Sequence, residues 1–380
     1  MAQKYYSMEQ AAERLGITPD EVRAMMDRRE LYGYRDGATW KFKVEDIDRK
    51  AQELGVGWIK VQFEWDLLQP DGPGDESTES QMLELYMQDA LMRGFQVMIS
   101  ITRAPDWARS TTEANGPPTD PQTLADFIQT ILDRDFGRAL SAIEIWNEPN
   151  LIREWTGAPM TGSEYMRLFR PVYETVTRWS SQSGHRIQLI TAGLAPTGTS
   201  EFSADDRAFL EQMYQAGLAN YPDVMVGIHP YGWGNAPDAR CCDPVPDRGW
   251  DDNTRFFFLD NIDAYRQIMR RYGAPPTQQL WITEFGWATY DGLGGYPAPQ
   301  PFFDYVNEWS QANYTIQALD ILQNSGNYND VGPTILWNLN FALLPGAVSE
   351  RREEQAGYSL LRPDGSERPV YQVLRMALNP

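Results

Sequence analysis

The chain of 380 residues contains only two cysteines and two histidines. The cysteines, Cys241 and Cys242, are neighbours, so they cannot staple distant segments and no disulfide framework holds the fold. An adjacent pair can close a vicinal disulfide or stay as two free thiols, and free thiols are the commoner outcome. With no Cys/His cluster at ligand spacing, a metal site has no support and no cofactor is expected. No glycine-rich loop has the spacing of a phosphate cradle, which leaves nucleotide chemistry unsupported. Positive charge is short as well: 33 Lys and Arg stand against 53 Asp and Glu, a formal charge of −20. That balance argues against nucleic acid or an anionic membrane as main partner and favours a neutral substrate. No apolar run approaches transmembrane length, and Met1 to Ser7 lacks an apolar leader core, so the chain as written is expected to be cytoplasmic. Nothing in the sequence speaks to oligomeric state.

What is plentiful is aromatic. Thirteen tryptophans and nineteen tyrosines supply flat apolar surface, for packing or for sugar rings. Two stretches organise the rest. Ala142-Ile143-Glu144-Ile145-Trp146-Asn147-Glu148-Pro149-Asn150 reads as a short apolar strand ending in an amide, a carboxylate and a proline. Leu280-Trp281-Ile282-Thr283-Glu284-Phe285-Gly286-Trp287 repeats the arrangement with one carboxylate near the strand end. Two glutamates at two strand ends make a paired-carboxylate site.

Around them the chain alternates between strand and helix, the pattern of a parallel α/β architecture. Strands are expected at Gly57 to Trp65, Val97 to Thr102, the run ending at Glu148, Ile187 to Thr191, Val224 to Ile228, the run ending at Glu284, and Thr334 to Asn338. Between them, Asp120-Pro121 caps a helix with Leu124, Phe127, Ile128, Ile131 and Leu132 on one face. A long loop, Pro230 to Asn253, interrupts the alternation. Seven strands from Gly57 leave an eight-stranded barrel one short, and the candidate for the first is Trp40 to Val44.

That candidate falls at the end of a different-looking segment. Ser7-Met8-Glu9-Gln10 and Thr18-Pro19-Asp20-Glu21 are two capping-box starts, and Asp36-Gly37 marks a turn between strand-like runs. With Tyr5-Tyr6-Ser7-Met8, Ala11-Ala12, Leu15-Gly16-Ile17 and Trp40-Lys41-Phe42, the segment resembles the excisionase/MerR-type winged helix-turn-helix. The resemblance implies DNA contact through Arg23, Arg28 and Arg29, but Asp20, Glu21 and Asp27 share that helix and cancel the charge such a surface needs. Residues 1–44 are therefore expected to form a helix-turn-helix-like module and 45–380 a TIM (β/α)8 barrel; either the two share the strand at 40–44 and the helix after it, or the barrel is open at its first position.

With the shared strand counted first, Glu148 ends the fourth strand and Glu284 the seventh, both on the C-terminal face where barrel active sites form. Trp146-Asn147-Glu148-Pro149-Asn150 and Trp281-Ile282-Thr283-Glu284-Phe285-Gly286 resemble the motifs of clan A retaining glycoside hydrolases, with family 39 (xylosidase/iduronidase) and cellulase-like proteins the best match. The resemblance covers about Gly57 to Pro380 and includes Gly357-Tyr358-Ser359-Leu360-Leu361. It implies Glu148 as general acid/base with a raised pKa, Glu284 as an ionised nucleophile, and carboxyls about 5–5.5 Å apart. It also implies Asn147 on the sugar 2-hydroxyl, His229 lining the same subsite, Tyr231 orienting the nucleophile and Trp337 as the floor of the sugar site. Arg103, Glu64 and Trp287 fall at or near strand ends and are further substrate-binding candidates. The expected function is retaining hydrolysis of β-linked glycans. The competing one is a DNA-binding regulator whose barrel senses a sugar without turning it over. Relatives of such a barrel are expected to work outside the cell.

Overall fold

The computed structural model describes residues 5–6, 12, 18, 22, 33–36, 39–43 and 53–379, except 75, 76, 113 and 345. Most of the helix-turn-helix expected in residues 1–44, and the helix expected after 44, lie outside the described residues. Three short strands are described there: β1 (Tyr5–Tyr6), β2 (Gly33–Asp36) and β3 (Thr39–Lys43). They pair antiparallel in the order β1-β3-β2, with Asp36 opposite Thr39 across the expected Asp36-Gly37 turn. The proposed sharing of 40–44 with the barrel is corrected here. Antiparallel partners lie on both edges of β3, and among the described residues no ladder joins it to a parallel strand.

The parallel strands are β4 (Trp58–Glu64), β5 (Gln96–Thr102), β6 (Leu140–Ile145), β7 (Gln188–Thr191), β8 (Val226–Ile228), β9 (Leu280–Phe285) and β10 (Val331–Leu336). β4 to β7 form one sheet and β8 to β10 another, each in sequence order. Parallel bridges at Ile190–Met225 and Leu194–Ile228, with the Thr191 amide donating to the Met225 carbonyl at 2.9 Å, join the two sheets into one succession. At its ends, Cα atoms of β10 and β4 come within 8 Å of each other. A separate buried layer unites Met98, Ala142, Ile190, Met225 and Trp281, with Trp58 and Ile335 packed against it, so all seven strand positions contribute to one interior. Trp58 meets Trp281 edge to face at 5.4 Å, reaching across from the first parallel strand to the sixth.

Helices follow the strands: α1 (Trp65–Leu68), α2 (Thr78–Met92), α3 (Pro121–Leu132), α4 (Gly162–Ser183), α5 (Asp206–Gln215), α6 (Phe258–Arg271), α7 (Glu308–Asn324), α8 (Glu354–Tyr358) and α9 (Pro369–Leu378). Their ends follow local chemistry. The Asp120 carboxylate accepts from the Gln122 amide ahead of Pro121 and starts α3, while Thr161 starts α4 by accepting from Glu164. Gly184, at φ 71°, ends α4 in the left-handed conformation that costs glycine little. The apolar faces of α3 and α4 close over β5 and β6 in the main core. A second cluster joins Ala12 and Val22 to Leu54, Ala312, Leu360, Val370 and Leu374, so these two side chains pack against α7 and α9.

Candidate active site

β6 stops at Ile145, and the backbone then turns sharply. Trp146 sits at φ 74° and Glu148 at φ 40°, conformations that cost a non-glycine residue about 1–3 kcal/mol each. Surrounding bonds hold them. The Trp146 indole donates to the Glu154 carbonyl at 3.0 Å, and the Glu148 amide donates to the Gly193 carbonyl at 3.0 Å. The Asn150 side chain accepts from the Ala195 amide and donates to the Ala195 and Ala204 carbonyls. The turn thereby aims Asn147 and Glu148 beyond the strand end.

Glu284 arrives from β9, one residue before that strand ends. Its carboxylate accepts from the Tyr231 hydroxyl at 3.0 Å and from the Lys60 ammonium at 2.9 Å. His229 is fully buried just past β8; its Nδ1 lies 3.0 Å from Glu148 Oε1 and 3.6 Å from Glu284 Oε2. One oxygen of each glutamate and a ring nitrogen of His229 all lie within 4.8 Å of one another. Those donor atoms are close enough for an ion, and Lys60 and Arg153 already pair with the two carboxylates. Gly193 is required here, since a Cβ on it would collide with His229 Nε2 and Thr283 Oγ1.

Beneath the pair lies a buried ion network. Lys60, pointing inward from β4, pairs with Glu144 at 2.7 Å as well as with Glu284. Burial opposes charge on Lys60 and on Glu144, yet their mutual attraction wins: the lysine pKa is raised and the Glu144 pKa lowered. Burial likewise opposes charge on His229, but Glu284 and Glu148 raise its pKa. Glu148 departs from expectation. Burial pushes its carboxyl up, but the bond to His229 and the Arg153 guanidinium at 2.9 Å bring it below the usual range, where the sequence comparison called for a raised value. The carboxyl that is raised is Glu154, pushed up to about 7 by burial and by the charge on Glu148.

The structure brings Glu148, His229, Tyr231 and Glu284 together, with Asn147 just before Glu148 in the turn. Asn147 is buried with its Oδ1 unpartnered. Trp337 follows β10, half-buried, its amide bonded to the Phe285 carbonyl at 2.9 Å and its peptide bond to Asn338 cis. Arg103 and Glu64 sit at the ends of β5 and β4 and bond each other at 3.5 Å; Arg103 also holds Asp66 at 3.0 Å. Trp287 is only 1 % exposed, and its indole donates to the Asn235 carbonyl at 2.7 Å, bracing the Pro230 to Asn253 loop. In that loop Cys241 and Cys242 form a vicinal disulfide where free thiols were the commoner expectation. Asp260 holds the loop there by accepting from the Cys241 amide and from Arg240.

Sequence reasoning passed over Lys60, Glu144, Arg153, Glu154 and Tyr358, whose ring lies 5.2 Å from that of Tyr231. A signal existed for the first two. Lys60 is the only lysine after residue 50, and Glu144 is a carboxylate inside an apolar strand.

No protein-family model matches the chain, and no curated protein matches it. Solved structures do. A family 39 glycoside hydrolase from Bacteroides cellulosilyticus WH2 superposes with a TM-score of 0.57 at 17% identity, covering 87% of this chain and 59% of that one. A family 39 β-xylosidase from Caulobacter crescentus gives 0.55 at 16%, covering 87% and 66%. A broad-specificity endoglucanase of family 5, subfamily 4, from Clostridium longisporum gives 0.54 at 15%, covering 88% and 86%. The chain thus spans under two thirds of the length of the two family 39 structures. These likenesses establish the fold as the parallel α/β architecture of the barrel glycoside hydrolases.

Proposed function

We propose that this chain is a retaining glycoside hydrolase acting on β-linked glycans, with Glu148 as acid/base and Glu284 as nucleophile. The observation that carries the proposal is the pair of carboxylates, one from the turn after β6 and one from β9, with oxygens within 4.8 Å of each other. Inverting enzymes hold their carboxyls roughly 6.5–9.5 Å apart to admit a water, and retaining ones about 5–5.5 Å. In the first step the Glu284 carboxylate attacks the anomeric carbon while Glu148 gives its proton to the departing oxygen. In the second, Glu148 takes a proton from water as that water attacks the same carbon and releases Glu284.

The neighbours suit these roles. Tyr231 and Lys60 fix both oxygens of Glu284. The unpartnered Oδ1 of Asn147 is a buried polar atom that a sugar hydroxyl would satisfy. Trp337 offers a half-buried ring as floor, His229 walls the subsite between the two glutamates, and Arg103 with Glu64 borders it from β5 and β4.

Release of nitrophenol from a panel of aryl α- and β-glycosides tests the assignment. Wild type should turn over at least one β-glycoside, Glu284→Ala should lose at least ~10³-fold in kcat, and Glu148→Ala should keep activity only on good leaving groups. A wild type silent on every glycoside, or activity retained in Glu284→Ala, contradicts it.

A further inference from the structure

The acid role assigned to Glu148 meets an obstacle in the free protein. Arg153 donates to Glu148 Oε2 at 2.9 Å and His229 faces Oε1 at 3.0 Å, so the carboxylate has cations or donors on both oxygens and no proton to give. His229 is fully buried and cannot leave. Arg153 is 65% exposed along its side chain and can. A second carboxylate already stands beside it, Glu154 Oε1 at 3.8 Å from Arg153 Nε.

Next to Arg153 in the chain, Ile152 begins a small exposed apolar ledge. Ile152 is 38% exposed and Phe202 63%. The Ile152 amide donates to the Phe202 carbonyl at 2.8 Å, and Leu151 bridges Ser203, so the ledge is stitched to the turn that carries Glu148. The loop bearing Phe202 is braced throughout. The Ser200 amide donates to the Ser203 carbonyl at 2.8 Å, the Ser203 hydroxyl donates to the Gly198 carbonyl at 2.8 Å, and the Ala204 amide donates to the Asn150 carbonyl at 2.9 Å. These bonds hold the exposed Phe202 ring on a loop tied to the Glu148 turn, where it offers an apolar face to a sugar or aryl ring.

We propose that the leaving half of the substrate, a sugar or aryl ring, seats on the Phe202–Ile152 ledge and displaces Arg153 from Glu148, so that Glu148 takes up its proton only when that side is occupied. This rests on the glycosidase reading above. The displaced guanidinium exchanges one carboxylate for another: Glu154 gives up a proton as it pairs with Arg153, Glu148 takes one, and total charge is unchanged. The other groups bearing on Glu148 stay in place: His229 after β8, Glu284 on β9, Tyr231 beside it, Tyr358 at the end of α8, and Lys60 with Glu144 behind them. Glu354 on α8 and Arg103 act at longer range, on Arg153 and Glu154 respectively.

The test is kcat/KM against pH for wild type, Arg153→Gln and Phe202→Ala, on a β-linked disaccharide and on the glycosyl fluoride of the same sugar. The fluoride has no ring to seat and little need of a proton. For Phe202→Ala the ratio of disaccharide to fluoride kcat/KM should fall about tenfold. For Arg153→Gln the alkaline limb on the disaccharide should move up by about one pH unit and stay where it is on the fluoride. Phe202→Ala with an unchanged ratio, or Arg153→Gln with an unmoved limb, overturns the proposal while leaving the glycosidase reading intact. A wild type that turns over neither substrate overturns both.

Discussion

Glu154 is the residue whose surroundings demand most of it. Its folded pKa of about 7 stands above the ordinary 4.5, so between those values the folded chain keeps a proton that the unfolded chain has released. Stability therefore falls as pH rises through that window, and the loss is complete above it. Glu154→Gln removes the penalty. It should stabilise the protein by about 2 kcal/mol at pH 8 and change little at pH 4, read from urea melts at the two pH values. An equal effect at both would show that Glu154 is not held protonated. Lys60 makes the opposite case. At 5% side-chain exposure it compensates the fully buried Glu144, and Lys60→Met should cost about 3–5 kcal/mol because a buried carboxylate loses its partner. Adding Glu144→Gln should recover a large part of that loss; a double variant as unstable as the single would contradict the pairing. The single-residue signals readable in the sequence were the glutamates at strand ends. Lys60 and Glu144 stood out by type and place, but their pairing did not, because a carboxylate inside a strand or an arginine in a loop shows its partner only after β4, β6 and β9 are assembled.

At the scale of elements, strand and helix alternation was legible from Gly57 onward because period and capping agree. Asp120-Pro121 opened α3 as expected, and Gly94 and Gly184 lie just past the ends of α2 and α4. Boundaries moved where the chain turns tightly. The run read as ending at Glu148 gives up its strand at Ile145, since Trp146 and Glu148 take left-handed conformations that no pattern of apolar residues announces. Arg368 was equally invisible. Fully buried at the start of α9, it bonds Glu308 on α7 at 3.2 Å and the carbonyls of Gly357, Ser359, Thr289 and Asp291, so one side chain ties α7, α8, α9 and the loop after β9 together. Burial draws its pKa down to about 10, still charged at neutral pH. Arg368→Met leaves Glu308 and four carbonyls short of a donor. It should lower stability by at least about 3 kcal/mol in denaturant melts, and a loss under 1 kcal/mol would contradict the tie.

At the scale of the molecule, the open question in the sequence was how residues 1–44 relate to a barrel one strand short. Val22 is fully buried in the cluster with Leu54, Leu360 and Val370, as part of the packing around α7 and α9. Val22→Asp should therefore lower the melting temperature of the whole chain in one cooperative transition, with near-ultraviolet circular dichroism following the same curve. A separate early transition with the main melt unchanged would instead show an independent module. The resemblance to glycoside hydrolases was legible because its motifs lie at the strand ends that build the site. Substrate identity was not, since the loops after the strands take their shape from bonds between distant segments, as those of 195–204 to Asn150 and Ile152 show.

The central claim is double displacement through Glu284. Its most direct test is incubation with a 2-deoxy-2-fluoro β-glycoside bearing a good leaving group, followed by mass spectrometry of the intact chain and its peptides. The account predicts one added fluorosugar per chain, carried by the peptide that contains Glu284 and absent in Glu284→Ala. Turnover of the natural glycoside without any such adduct, or an adduct on a different residue, would contradict it.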